Sequence, residues 1–234
     1  MIINPGKALP SVLLVAATVA CFIAVSAVSG CYGSGQDQTG TYNDTICAED
    51  IDLTGTEFVT NSDFQGGTAD WQKVENSEAG TNTVTGESKT ACGYAASFVR
   101  ENAGGATGLI ALEQTLKIEK AQTPRLKLQM LMRIDYQLLT SDGVLGGETP
   151  VFISLDYQTA TGETRSYAQG FMVRGSQINY PDRDQNIMPL YWSQYNIDDV
   201  FGKIPEAVRI TKVAVGGNGQ DFHSFVALVS LRGK

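Results

Sequence analysis

Leu126, Leu128, Met130, Met132, Ile134, Tyr136 and Leu138 occupy every second position of a single run. Between them stand Lys127, Gln129, Arg133, Asp135 and Gln137, with Leu131 the one exception. A period of two scatters its apolar set around a helix but gathers it on one face of a strand. The run therefore predicts a long strand with one face in a core and the other in solvent. Val151, Ile153, Leu155 and Tyr157 alternate likewise, as do Tyr167, Gln169, Phe171 and Val173. The glycine-bearing turn Thr159–Glu163 between these runs predicts a hairpin. Further strands are expected over 93–101, 109–118, 207–216 and 222–231, with one short helix over 196–201. Many strands, polar connections and so little helix predict an all-β domain, a β-sandwich of jelly-roll type.

The first residues obey a different rule. Lys7 is followed by an apolar run from Ser11 to Gly30, and the next charged residue is Asp37. A basic start, an apolar stretch and small residues at its end read as an export signal. The run closes on Val28-Ser29-Gly30-Cys31, which resembles the lipobox of bacterial lipoproteins. That resemblance implies cleavage after Gly30 and lipidation of Cys31. A run of about 20 apolar residues is also long enough to cross a bilayer as a helix, so a retained single span is the second reading. Both readings put the rest of the chain outside the cytoplasm of a bacterium, anchored to a membrane at the cell surface or in the periplasm. The domain plan is then a signal or anchor over 1–30, a polar glycine-rich tether over 31–46, and a β-sandwich over 47–234.

The formal net charge is −8, and loss of Lys7 with the signal makes it one unit more negative. With no basic patch to displace counterions, nucleic acid is excluded as a partner. Of the four cysteines, Cys21 lies in the apolar run and Cys31 is the lipid site. Cys47 and Cys92 are left, and in an oxidising compartment such a pair is expected to form a disulfide.

The most specific piece of the folded part is Phe58-Val-Thr-Asn61-Ser-Asp63-Phe64-Gln-Gly66-Gly67-Thr-Ala-Asp-Trp71. Asn61 and Asp63 are suited to bonding their own backbone in a turn. Phe64 and Trp71 are large enough to close one end of a sandwich. The segment resembles the opening of galactose-binding-like jelly rolls, among them several families of carbohydrate-binding modules. The later stretches 93–98, 112–116 and 225–231 are similar to the strands that follow in such domains. Many members hold a structural calcium through an acidic residue in the opening turn and an aspartate in the last strand. Gln65 and Ala227 stand at those places here, so the resemblance leaves a calcium site around Asp63 built largely from backbone oxygens, which calcium accepts.

Binding residues are expected in the long aromatic and polar segment 179–195. Tyr180, Tyr191 and Trp192 offer faces on which a sugar ring stacks, and Asp182, Arg183, Asp184 and Asn186 offer partners for its hydroxyls. The competing reading is that Tyr191, Trp192 and Tyr195 only pack this segment onto the core. Asp182-Arg-Asp184-Gln-Asn186 also has alternate calcium-loop spacing but lacks the glycine and the distant glutamate of an EF-hand. His223 is the only histidine, and no GxSxG motif accompanies it. It reads as a strand-edge or core residue. Glu148, Asp156, Glu163, Asp182, Asp184, Asp198 and Asp199 could serve glycoside hydrolysis only if two of them faced each other. The sequence thus predicts no enzyme. It points to a non-catalytic module for carbohydrate, with a structural or accessory subunit of a membrane or envelope protein complex as the alternative.

Overall fold

The computed structural model describes residue 47 and residues 51–77, 79–90, 93–138, 148–173, 184–187 and 189–233. The readings made on residues 1–46, including the signal and Cys31, lie outside these. Among the described residues no helix is long and apolar enough to cross a membrane. In chain order the elements are β1 (Thr56–Glu57), β2 (Gln72–Ser77), β3 (Thr81–Thr90), β4 (Gly93–Glu101), β5 (Gly108–Glu119), β6 (Leu126–Leu138), β7 (Thr149–Thr159), β8 (Thr164–Val173), β9 (Asp184–Ile187), β10 (Ser193–Ile197), α1 (Val200–Lys203), β11 (Ala207–Gly219) and β12 (Asp221–Gly233).

The strands form two sheets. The front sheet runs β10-β6-β12-β4-β3, with β1 paired to the end of β12, and the back sheet runs β2-β5-β11-β7-β8-β9. Every pairing is antiparallel except the parallel β8–β9 edge. The core lies between the sheets. Leu126, Leu128, Met130, Met132 and Ile134 of β6 meet Ile153, Leu155, Val213 and Val215 of the back sheet in one buried cluster. Each such side chain contributes about 1.5–3 kcal/mol on burial, which is what holds the two layers face to face.

The long alternating run is a strand, but its last third turns the other way. Ser224 pairs with Ile134 while the preceding His223 pairs with Tyr136, so Asp135 is an extra residue in β6. A bulge of one residue reverses the faces beyond it. Tyr136 and Leu138, expected in the core, are instead 51% and 44% exposed. Gln137 turns inward, and its Oε1 accepts a bond of 2.9 Å from the amide of Val173 in the opposite sheet. Leu131, the exception in the pattern, sits on the outer face in a second apolar cluster with Ile51, Ala95, Trp192, Phe225, Ala227 and Leu228.

The hairpin forms as expected, closed by Thr159 N donating to Glu163 O at 2.9 Å. The short helix is displaced: Asn196 and Ile197 complete β10, and the helix is Val200–Lys203. The segment 179–195 contains the edge strand β9 and the start of the edge strand β10. The strands β2 and β3 carry few apolar residues and were not legible from periodicity.

The opening turn behaves as its residues require. Phe64 is fully buried and stacks on Trp71 with ring centroids 5.4 Å apart. Asn61 and Phe64 both take positive φ, 50° and 55°, a region that non-glycine residues enter only when their surroundings hold them there. The turn presses against β3 so closely that a Cβ on Gly86 would stand 2.3 Å from the amide nitrogen of Thr68.

Candidate functional site

The outer face of the front sheet gathers the aromatic and polar groups. Strand register places Arg133, Phe225, Ser97 and Thr85 in one row across the sheet, and Tyr136, His223, Val99 and Thr83 in the next. The Arg133 guanidinium lies over two rings, 4.6 Å from the centroid of Phe225 and 5.3 Å from that of Trp192. Stacking of this kind fixes a planar cation. Asp135 holds the same guanidinium: Arg133 Nη2 donates to its Oδ2 at 2.9 Å. Nε and Oδ1, 2.7 Å apart, attract each other as charges without the alignment of a hydrogen bond. Neither group of the pair is sealed off, with side chains 24% and 22% exposed.

His223 continues the site. Its ring centroid is 4.5 Å from that of Phe225, and Nε2 is 3.2 Å from Ser97 Oγ. At the β6 edge, Leu190 N donates to Ile134 O at 2.9 Å. This bond seats the turn before β10 beside Arg133 and Asp135. Leu190 and Tyr191 are 63% and 43% exposed there, and Tyr136 is open on the same strand. Open aromatic rings beside a fixed guanidinium–carboxylate pair can stack on a pyranose and bond its hydroxyls in the same approach.

One flank of this face is covered by the chain itself. Ile51, with the partly buried Cys47 and Leu53, packs on Leu131, Trp192, Phe225 and Leu228. With its amide turned to donate, Gln129 bonds Asp52 O at 2.9 Å, and Arg232 Nη1 donates to Gly55 O at 3.1 Å. Glu57 then accepts from Leu231 N at 2.9 Å and pairs with Arg232 Nε at 3.1 Å. Residues 51–57 thus form a strap pinned along the sheet, and Trp192 lies beneath it, 7% exposed.

The expected binding residues divide accordingly. Tyr191 is open to solvent, whereas the Trp192 ring is enclosed by the strap and Arg133, and Tyr195 packs in the main core. Asp184 and Asn186 lie on β9. Tyr180, Asp182 and Arg183 lie outside the described residues. Cys47 is disulfide-bonded; Cys92 lies outside the described residues, so the pairing of these two stands as an expectation. Of the carboxylates read as catalytic candidates, Asp156 pairs with Lys212 at 2.9 Å and Glu163 with Arg165 at 2.8 Å. Sequence reasoning missed Tyr136, Arg133 and Asp135, because the bulge that exposes the first is built by the third and has no one-residue signature.

This is a β-sandwich of two sheets, antiparallel but for the β8–β9 edge, of jelly-roll type. No protein-family model matches the chain, and no curated protein matches it in sequence. Among solved structures it is similar to the carbohydrate-binding module TmCBM61 in complex with β-1,4-galactotriose, at 16% identity and TM-score 0.41, over 76% of this chain and 99% of that one. It is similar too to the family 11 carbohydrate-binding module of a cellulosomal cellulase of Clostridium thermocellum, at 11% identity and TM-score 0.43, over 77% and 96% of the two chains. A third likeness is to an arabinose-bound α-L-arabinofuranosidase, at 14% identity and TM-score 0.36, over 75% of this chain and 26% of that one. Likenesses this remote decide nothing about ligand or activity.

Proposed function

We propose that the protein is a non-catalytic carbohydrate-binding module, held at a bacterial membrane through its N-terminus, whose ligand face is the outer side of the front sheet. The observation that carries the reading is the pair of open rings close in the fold to the Arg133–Asp135 pair, Tyr136 next to Asp135 in β6 and Tyr191 in the turn bonded to Ile134. Sugar recognition needs this combination: an apolar ring face for the axial hydrogens, and rigid polar groups for the hydroxyls. Affinity electrophoresis through gels containing soluble polysaccharides tests it. The protein is retarded by at least one glycan, and Tyr136→Ala together with Tyr191→Ala removes the retardation.

Anchoring is part of the same proposal and rests on Val28-Ser29-Gly30-Cys31 alone. Intact mass spectrometry of protein extracted from its own membrane gives Cys31–Lys234 plus acyl chains if the lipobox is used. It gives Met1–Lys234 if the apolar run is retained as a span.

A second reading has its own support. The enclosure of Trp192 under the strap takes the largest ring of the face out of reach of a ligand. That is what a structural or accessory subunit of an envelope complex requires, since its outer face packs rather than binds sugar. Failure of every glycan to retard the protein favours this reading.

A further inference from the structure

The opening turn raises the question of calcium, because jelly rolls that begin in this way often hold the ion there. The donors present do not fit one. Asn61 Nδ2 donates to Gly67 O and to Ala69 O, both at 2.9 Å, while its Oδ1 accepts from Gly66 N at 2.9 Å. Five further carbonyls of the turn also accept bonds. Asn61 O accepts from Phe64 N and Trp71 Nε1, Ser62 O from Val229 N, Phe64 O from Gly67 N, Gly66 O from Ala69 N and Thr68 O from Trp71 N. Asp63 Oδ1 accepts from Gln65 N at 3.3 Å. Gln65 is exposed, and Ala227 lies in the outer apolar cluster with no side-chain oxygen to give. Among the described residues no group of three or more acidic, histidine or cysteine side chains could hold a metal.

We propose that the Asn61 carboxamide closes this turn in place of a cation. A calcium ion collects about six to eight oxygens at short range. Here the two amide hydrogens of Asn61 bring the positive end of a dipole to the Gly67 and Ala69 carbonyls, which does the same electrostatic work with a covalently attached group. Neither Gln65 nor Ala227 offers a carboxylate to a cation. Closure by Asn61 makes the fold independent of calcium.

Thermal unfolding of the full chain in chelator and in millimolar calcium tests this. The unsubstituted protein melts at the same temperature in both. Asn61→Asp replaces two donors by a carboxylate facing two carbonyls, so its melting temperature falls by several degrees in chelator and recovers when calcium is added. A rise in the melting temperature of the unsubstituted protein with calcium overturns the proposal, as does an Asn61→Asp variant that melts like the parent in chelator. If Asn61→Asp does not fold, titration of the unsubstituted protein with terbium decides. Absence of luminescence sensitised through Trp71 supports the proposal, and sensitised luminescence that Asp63→Ala abolishes overturns it.

Discussion

Tyr136 and His223 are cross-strand partners on the outer face of the front sheet, directly after the bulge that Asp135 makes in β6. Without that extra residue Tyr136 would continue the inward row of Leu126 to Ile134. The bulge therefore turns the end of a core strand out to the surface, within the candidate site. Since the Tyr136 ring is already 51% exposed, Tyr136→Ala changes the stability to urea by less than about 0.5 kcal/mol. A loss several times larger would mean that the ring is packing rather than presented.

The strap is a packing element, and its removal has a visible consequence. Ile51 is 6% exposed and lies against Trp192, Phe225 and Leu228. Ile51→Ala leaves a cavity and costs about 2–5 kcal/mol of unfolding free energy. It also admits water to the indole of Trp192. In a Trp71→Phe background, which leaves one tryptophan, the emission of the Ile51→Ala protein shifts to longer wavelength and is quenched more readily by acrylamide.

Alkaline pH destabilises the domain through Tyr195. Burial, and then the 2.8 Å hydrogen bond with the Tyr167 hydroxyl, raise the Tyr195 hydroxyl well above the ordinary tyrosine range. The unfolded chain ionises there near pH ~10 while the folded one does not. The unfolded state then binds fewer protons, so the Tyr195 contribution is fully present below that pH and is lost as pH rises above it. Urea midpoints followed upward from neutral pH fall in the parent protein. They fall less steeply in Tyr195→Phe, which has no hydroxyl to ionise.

Much of the architecture was legible in the sequence, and the reasons for the failures are specific. Alternation located β6, β7 and β8 because each buries one face, and Leu131 broke the pattern because the strap gives the outer face an apolar cover of its own. Period-two reading assumes an unbroken register, so it carried Tyr136 and Leu138 into the core past a bulge that only pairing with β12 reveals. It passed over β2 and β3, in which Val74 and Val84 are the only aliphatic side chains and set no alternation. The Asn61 turn was read correctly as self-bonded, but its three side-chain bonds depend on the fold of residues 66–69 and were beyond sequence. Of the site, Tyr191 and Trp192 were singled out by composition. Which of the two faces solvent is a tertiary fact, set by Ile51 some 140 positions away in the chain.

The most direct test of the account is glycan binding at the outer face of the front sheet. Isothermal titration of the full chain with the polysaccharide that retards it most, alongside the Tyr136→Ala, Tyr191→Ala protein, gives the answer. The account predicts saturable binding by the parent and loss of at least tenfold in affinity for the double variant, equivalent to about 1.4 kcal/mol, with its melting temperature unchanged. Equal affinity in the two proteins, or no binding by the parent to any glycan, would contradict it.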